Sequence, residues 1–282
     1  MKVKVWGARG SVPAPGPEMN RYGGNTSCVQ VTLDDGNELI LDAGTGIRSL
    51  GLAMASQMPK VNILLTHLHL DHIQGLMFFP PCFRQESKIT IWGPCSAEAS
   101  LEDRIARYIS APLSPVEVRE LPCEVNFKDA PAIKWELGDA TICAEAVTHR
   151  GPTLGYRITE GETTIAYIPD HEPGLGAPLA AADPEWISGF RLACEADLLV
   201  HDCQYTDEEY PEHVGWGHSR LTDTLTFARR VEAKRLLLFH HDPMHSDDFL
   251  DAAYGTALER WSDMGGEPAS IEMAAERREV RL

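Results

Sequence analysis

The stretch that most restricts this chain runs from Val61 to His72 and reads Val-Asn-Ile-Leu-Leu-Thr-His-Leu-His-Leu-Asp-His. Val61 to Leu65 is a short apolar run, the pattern of a strand buried on both faces. It feeds directly into three histidines and an aspartate within six residues. In an extended segment the side chains at i and i+2 point the same way, so His67 and His69 can grip one ion together. If a helix begins near Asp71, that carboxylate and His72 project toward a second position. Imidazole and carboxylate together suit Zn, Fe or Mn.

Three further polar residues repeat this placement. His149 follows the strand-like run Thr141 to Val147, Asp170 follows Thr163 to Ile168, and His240 follows Arg235 to Phe239. Each sits at the C-terminal end of an apolar strand. Neighbouring strand ends converge at one edge of a sheet, where ligands distant in sequence can meet. His240 and His241 compete for one position.

The His-x-His-x-Asp-His pattern, with these strand-end residues in order behind it, resembles the metallo-β-lactamase superfamily. The resemblance spans essentially the whole chain and implies an α/β fold, a four-layer αββα sandwich over residues 1–282 as one domain. It implies two divalent metal ions, Zn²⁺ first with Mn²⁺ or Fe as alternatives. His67, His69 and His149 would bind one metal. Asp71, His72 and His240 would bind the other, Asp170 would bridge both, and Asp71 would double as a base. Asp242-Pro243, aligned with a Ser-Pro of the superfamily, selects His240 over His241. Arg21 to Cys28 and Asp42 to Gly46 also look like family segments, with Asp42 expected to hydrogen-bond a ligand histidine.

A second constellation narrows the chemistry. His201-Asp202 closes a buried strand (Ala196 to Val200), and Gly217-His218-Ser219 precedes a helix. The pair resembles the tRNase Z branch, in which an acidic residue orients a histidine that protonates the leaving oxygen. Here Asp202 replaces that branch's Glu and Arg220 its Thr. By position Asp202 would orient His218. A phosphodiester's alkoxide is a poor leaving group unless protonated, and a histidine supplies a proton near neutral pH. His201 is expected to be structural, His213 and His245 to lie at the surface or rim, and His171 is left open as a pocket residue. Arg9, Arg21 and Arg150 are candidate phosphate contacts.

Size and charge bear on the substrate. His149 and Asp170 are 21 residues apart, too few for the long tRNA-binding arm that a tRNase Z inserts there. Lys plus Arg number 25 against 42 Asp plus Glu, a formal net charge of −17, which repels long polyanions and anionic membranes. These features favour a small phosphodiester, such as a cyclic nucleotide or nucleotide derivative, over long nucleic acid. Alternatives are hydrolysis of a thioester, lactone or β-lactam, and a non-hydrolytic di-iron redox or sensor protein. A homodimer is left open. Seven cysteines without CxxC spacing, and no apolar leader or membrane-length segment, point to a cytoplasmic protein.

Further elements expected from pattern are strands at 27–33, 38–41, 88–92, 116–121 and 154–159. Helices are expected at 47–57, just after His72, and at 97–109, 186–194, 221–231 and 249–261.

Overall fold

A computed structural model describes residues 1–54, 60–131 and 133–282. Its strands, in chain order, are β1 (Lys2–Gly7), β2 (Cys28–Thr32), β3 (Glu38–Leu41), β4 (Lys60–Leu64), β5 (Lys88–Gly93), β6 (Glu124–Asp129) and β7 (Trp135–Leu137). They continue as β8 (Ala140–Ala146), β9 (Leu154–Glu160), β10 (Thr163–Ile168), β11 (Leu198–Asp202), β12 (Leu236–Phe239), β13 (Ile271–Met273) and β14 (Glu279–Arg281). The α-helices are α1 (Gly46–Ala53), α2 (Leu70–Ile73), α3 (Leu101–Ala106), α4 (Phe190–Ala193), α5 (Leu221–Arg230) and α6 (Asp247–Asp263).

The strands form two sheets, ordered β14-β1-β2-β3-β4-β5-β6 and β13-β12-β11-β10-β9-β8-β7. Each sheet is antiparallel in one half and parallel in the other: β3 to β6 run parallel in the first, β10 to β13 in the second. β1 shows why the sheets face each other. Its valines, Val3 and Val5, are fully buried while Lys2 and Lys4 point outward. Val29, Val31, Leu39 and Leu41 join them on one side, and Ile142, Tyr156, Ile158, Tyr167 and Val200 meet them from the other. The outer face of the first sheet packs on α1 and α3 through Ile47, Leu50, Leu101 and Ile105. That of the second packs on α4, α5 and α6 through Leu192, Leu225, Phe227 and Trp261. The result is the αββα sandwich expected from the sequence.

Several local expectations shift. The run Val116 to Leu121 is not a strand but a single 3₁₀ turn, Val118–Glu120, closed by reciprocal side-chain caps of Glu117 and Glu120. The expected helix 186–194 breaks into a 3₁₀ turn and the four-residue α4, because Gly189 adopts a left-handed conformation between them. The expected helix 97–109 contracts to α3, where the Ser100 hydroxyl accepts the Asp103 N–H. The helix expected after His72 starts earlier, at Leu70. α1 ends at Ala53, and the remainder of its expected span, residues 55–57, lies outside the described residues.

The parallel halves matter for function. The segments that follow β4, β10 and β12 line one cleft through His69, Asp71, Asp170 and His240. All seven cysteines are free thiols. Among the described residues no helix is long and apolar enough to cross a membrane.

Candidate metal centre

Beyond β4 the chain is held extended until His69, which caps the N-terminus of α2 with extended dihedrals. His67 and His69 therefore lie on the stretched segment, and the first turn of α2 swings Asp71 and His72 to the other side. Asp42 anchors this corner. It accepts the Thr66 N–H at 2.7 Å, His72 Nδ1–H at 2.8 Å and the Tyr167 hydroxyl at 2.9 Å. His240 leaves β12 with φ of 61°, a conformation unusual for a residue other than glycine. Its ring lies against Gly10, where a Cβ would come within 2.5 Å of it, so that position needs a glycine.

Two clusters result, one of His67, His69 and His149 and the other of Asp71, His72, Asp170 and His240, and His218 overlaps both in groups with His149 and Asp170 and with Asp202 and His240. His69 Nδ1 and His149 Nε2 are 3.3 Å apart. In the second cluster His72 Nε2 lies 3.3 Å from Asp71 and 3.0 Å from Asp170, and His240 Nε2 lies 3.3 Å from each carboxylate. Asp170 faces both clusters, at 3.8 Å from Nε2 of His67 and of His149. A tetrahedral ion with bonds of 2.0–2.1 Å needs donor atoms about 3.3 Å apart. The donor set therefore fits metal. So does a second observation: His67 Nε2, His72 Nε2 and Asp170 Oδ1 are buried and make no hydrogen bond.

In four of the five histidines the opposite ring nitrogen is occupied. His67 Nδ1 meets the Thr66 hydroxyl, His72 Nδ1 the Asp42 carboxylate, His149 Nδ1 the Gly217 carbonyl and His240 Nδ1 the Gln204 side-chain oxygen. Such partners fix the tautomer and aim the remaining nitrogen at the cleft.

The electrostatics divide the two clusters. Burial pushes the imidazoles of His67, His69 and His149 below the ordinary histidine value, so all three stay neutral and ready to ligate. In the second cluster burial also opposes charge, but Asp170 and Asp71 outweigh it and push His240 up to about 9. Asp170, Asp71 and Asp42 likewise raise His72. Burial works against ionised Asp71 and Asp170, yet the surrounding imidazoles hold both below the usual carboxylate range. Protons on His72 and His240 balance the carboxylates as a divalent cation would.

A family model described as the beta-lactamase superfamily domain matches residues 37–241. This chain belongs to the beta-lactamase superfamily. Among superfamily relatives, the ribonuclease Z of Natronomonas pharaonis is 24% identical over 292 residues, covering 88% of this chain and 89% of that protein. Zn²⁺-bound PqqB from Methylobacterium extorquens superposes with a TM-score of 0.71 at 18% identity, over all of both chains. Human tRNase Z, short form, gives a TM-score of 0.67 at 21% identity, over 100% of this chain and 99% of that one. At such identities these structures speak for the metallo-β-lactamase fold.

Within this superfamily scaffold His218 stands at the edge of the two histidine–aspartate clusters, its Nδ1 2.7 Å from Asp202 and 4.0 Å from Asp170. Other expected residues fall elsewhere. His241 turns away to donate to the Ala274 carbonyl. His171 does not line the cleft. It is buried against His201, with their ring nitrogens 2.9 Å apart. His245, expected at the surface or rim, is buried and meets Glu209 at 2.8 Å. Arg9 is buried and bonded to the carbonyls of Gly23, Asp242 and His245, and Arg21 pairs with Asp248 and Asp251. Of the three arginines, Arg150 lines a cavity together with His67 and His69.

Sequence reasoning missed three contributors. The Ser11 N–H donates to Asp71 Oδ2 at 2.8 Å, Gln204 positions His240, and buried Glu172 accepts the N–H of Gly215 and Gly217. Gln204, two residues past Asp202 at a strand end, carried a usable signal. A buried glutamate and a backbone donor carried none.

Proposed function

We propose that this metallo-β-lactamase-fold hydrolase is a dinuclear phosphodiesterase of small phosphodiesters, with residues 1–282 acting as one catalytic domain. His67, His69 and His149 would hold one ion, Asp71, His72 and His240 the other, and Asp170 both. The imidazole-rich set suits Zn²⁺ first, with Mn²⁺ or Fe as alternatives. When bound, the pair supplies Lewis-acid polarisation of a phosphoryl oxygen and a water of lowered pKa.

The chain's own residues complete the reaction. Asp71, oriented by the Ser11 N–H, aligns the attacking water and takes its proton. His218, held by Asp202 through Nδ1, turns its other nitrogen to the cleft it shares with Asp71 and His240. From there it delivers a proton to the departing alkoxide. That Asp202–His218 contact at 2.7 Å carries the reading, because an alkoxide leaves only when protonated, whereas a thioester's thiolate leaves without an acid.

The small substrate rests on the interval after His149. It is filled by β9, a tight turn at Gly161 and β10, which leaves no residues for an arm. The match to the Natronomonas ribonuclease Z extends over 292 residues yet occupies 88% of this chain, so that relative carries segments without a counterpart here. The net charge of −17 acts in the same direction. A structured RNA is the second reading, favoured by the name that relative bears.

The test is turnover of bis-p-nitrophenyl phosphate, a cyclic-nucleotide panel and a tRNA precursor by Zn²⁺- and Mn²⁺-loaded protein. Small diesters should turn over and the precursor should not. Inactivity towards every phosphodiester, with turnover of a thioester or lactam, sinks the reading.

A further inference from the structure

Beside the metal cleft lies a second cavity of about 350 Å³, and the two share Ser11 and His218 as a common wall. Its remaining lining is unlike the cleft. The Tyr205 ring stacks on His213 with centroids 4.2 Å apart and an interplanar angle of 23°, and Trp216 meets His213 edge-on at 4.8 Å. Trp216 lines this cavity although it is 51% exposed. Its half-exposed indole therefore stands at the mouth of the cavity, where a ligand can reach it.

The loop that presents Trp216 is rigidly built. Glu172, 1% exposed, accepts the Tyr210 hydroxyl at 2.6 Å and the N–H groups of Gly215 and Gly217, the residues on either side of Trp216. Both glycines have positive φ, 81° and 92°, which tightens the loop around the tryptophan. A buried carboxylate devoted to three donors of one surface loop is expensive to maintain. It makes sense where the position of the loop matters. Arg150 braces the same loop through the Gly215 carbonyl at 3.2 Å and lines the cavity as well.

We propose that this cavity is a nucleobase subsite, in which a base stacks on Trp216 while its phosphate lies in the metal cleft. The inference rests on the phosphodiesterase reading for its phosphate half. A planar aromatic ring matches the half-exposed indole of Trp216, which the stacked Tyr205–His213 pair backs. The Asp242 carboxylate and Tyr205 hydroxyl, which also line the cavity, suit a ring with polar edges better than an acyl chain. Because His218 forms the shared wall, the stacked nucleoside is the leaving group. A volume of about 350 Å³ accommodates one small ligand of this kind.

Calorimetric titration of the Zn²⁺-loaded full chain with adenosine 5′-monophosphate and with ribose 5-phosphate tests this. The two ligands share sugar and phosphate, so their difference isolates the base. The nucleotide should bind about 5- to 150-fold tighter, the usual span for one base on an aromatic platform. Trp216→Ala should close that gap, and Trp216→Phe should restore most of it. Equal affinities on the native chain, or a preference that survives Trp216→Ala, overturn the proposal. Hydrolysis of bis-p-nitrophenyl phosphate by the same preparation separates the two ideas. Hydrolysis without a base preference removes the subsite alone, and a base preference without any diester hydrolysis removes the phosphodiesterase reading alone.

Discussion

The Asp202 carboxylate accepts His218 Nδ1–H at 2.7 Å and also the backbone N–H groups of His171, Gln204 and Ser219. Four donors on two oxygens leave that carboxylate no rotational freedom, so His218 inherits a fixed direction. His218→Ala should therefore cost about 10²- to 10⁴-fold on diesters with alkyl leaving groups. On p-nitrophenyl leaving groups, which depart without a proton, the loss should be far smaller. Rates measured across a leaving-group series check this. An equal loss on both classes would make His218 something other than the acid.

Metal binding should displace protons. His240 is pushed up to about 9 and His72 is also raised, so in the metal-free site both carry protons near neutral pH. Apparent metal affinity should climb as pH rises toward about 9. Folding of the metal-free chain should show the mirror image. Raised histidines contribute stability that is complete below about 6.5, the unfolded value, and is lost as pH rises through about 9. Calorimetry in buffers of different ionisation enthalpy counts the released protons, and a count of zero at pH 7 contradicts the assignment.

Acid should destabilise the fold through two other histidines. Burial pushes His201 down to about 4 and His241 down to about 3. Above about pH 6.5 folded and unfolded chains both hold these rings neutral, and their contribution is complete. Below it the unfolded chain takes up protons that the folded one refuses, so stability falls until about pH 4 for His201 and about 3 for His241. Denaturant midpoints measured from pH 7 to pH 4 should fall, and His241→Gln should flatten the slope.

Glu172 should influence metal binding without touching metal. It holds the Gly217 N–H, and the Gly217 carbonyl accepts His149 Nδ1–H at 2.7 Å. Glu172→Ala should weaken metal affinity about 10- to 100-fold, the usual cost of losing such support. Glu172→Gln, which keeps one acceptor oxygen, should recover part of it. Gly217→Ala should be worse, because a Cβ there would approach His149 Nδ1 to 2.5 Å. Metal competition with a chromophoric chelator reads all three.

The convergence of His149, Asp170 and His240 was legible because each follows an apolar run that forms a strand. β3 and β10 lie at the expected 38–41 and 163–168. β7, β13 and β14 were invisible, since three residues at a sheet edge carry no periodicity. β6 alternates only between exposed and half-buried residues, a weak signal. Val116 to Leu121 misled because its β-branched content outweighed the Glu117/Glu120 caps. The burial of Glu172 and His245 depends on loops meeting across the fold, which no local pattern records.

Every role proposed above depends on two metal ions held around His67, His69 and Asp170. Elemental analysis of Zn²⁺- or Mn²⁺-loaded protein, paired with hydrolysis of bis-p-nitrophenyl phosphate by the native chain and His69→Ala, tests this arrangement most directly. The native chain should hold two ions, and the variant should lose metal and activity together. Full metal content with full activity in His69→Ala would contradict it.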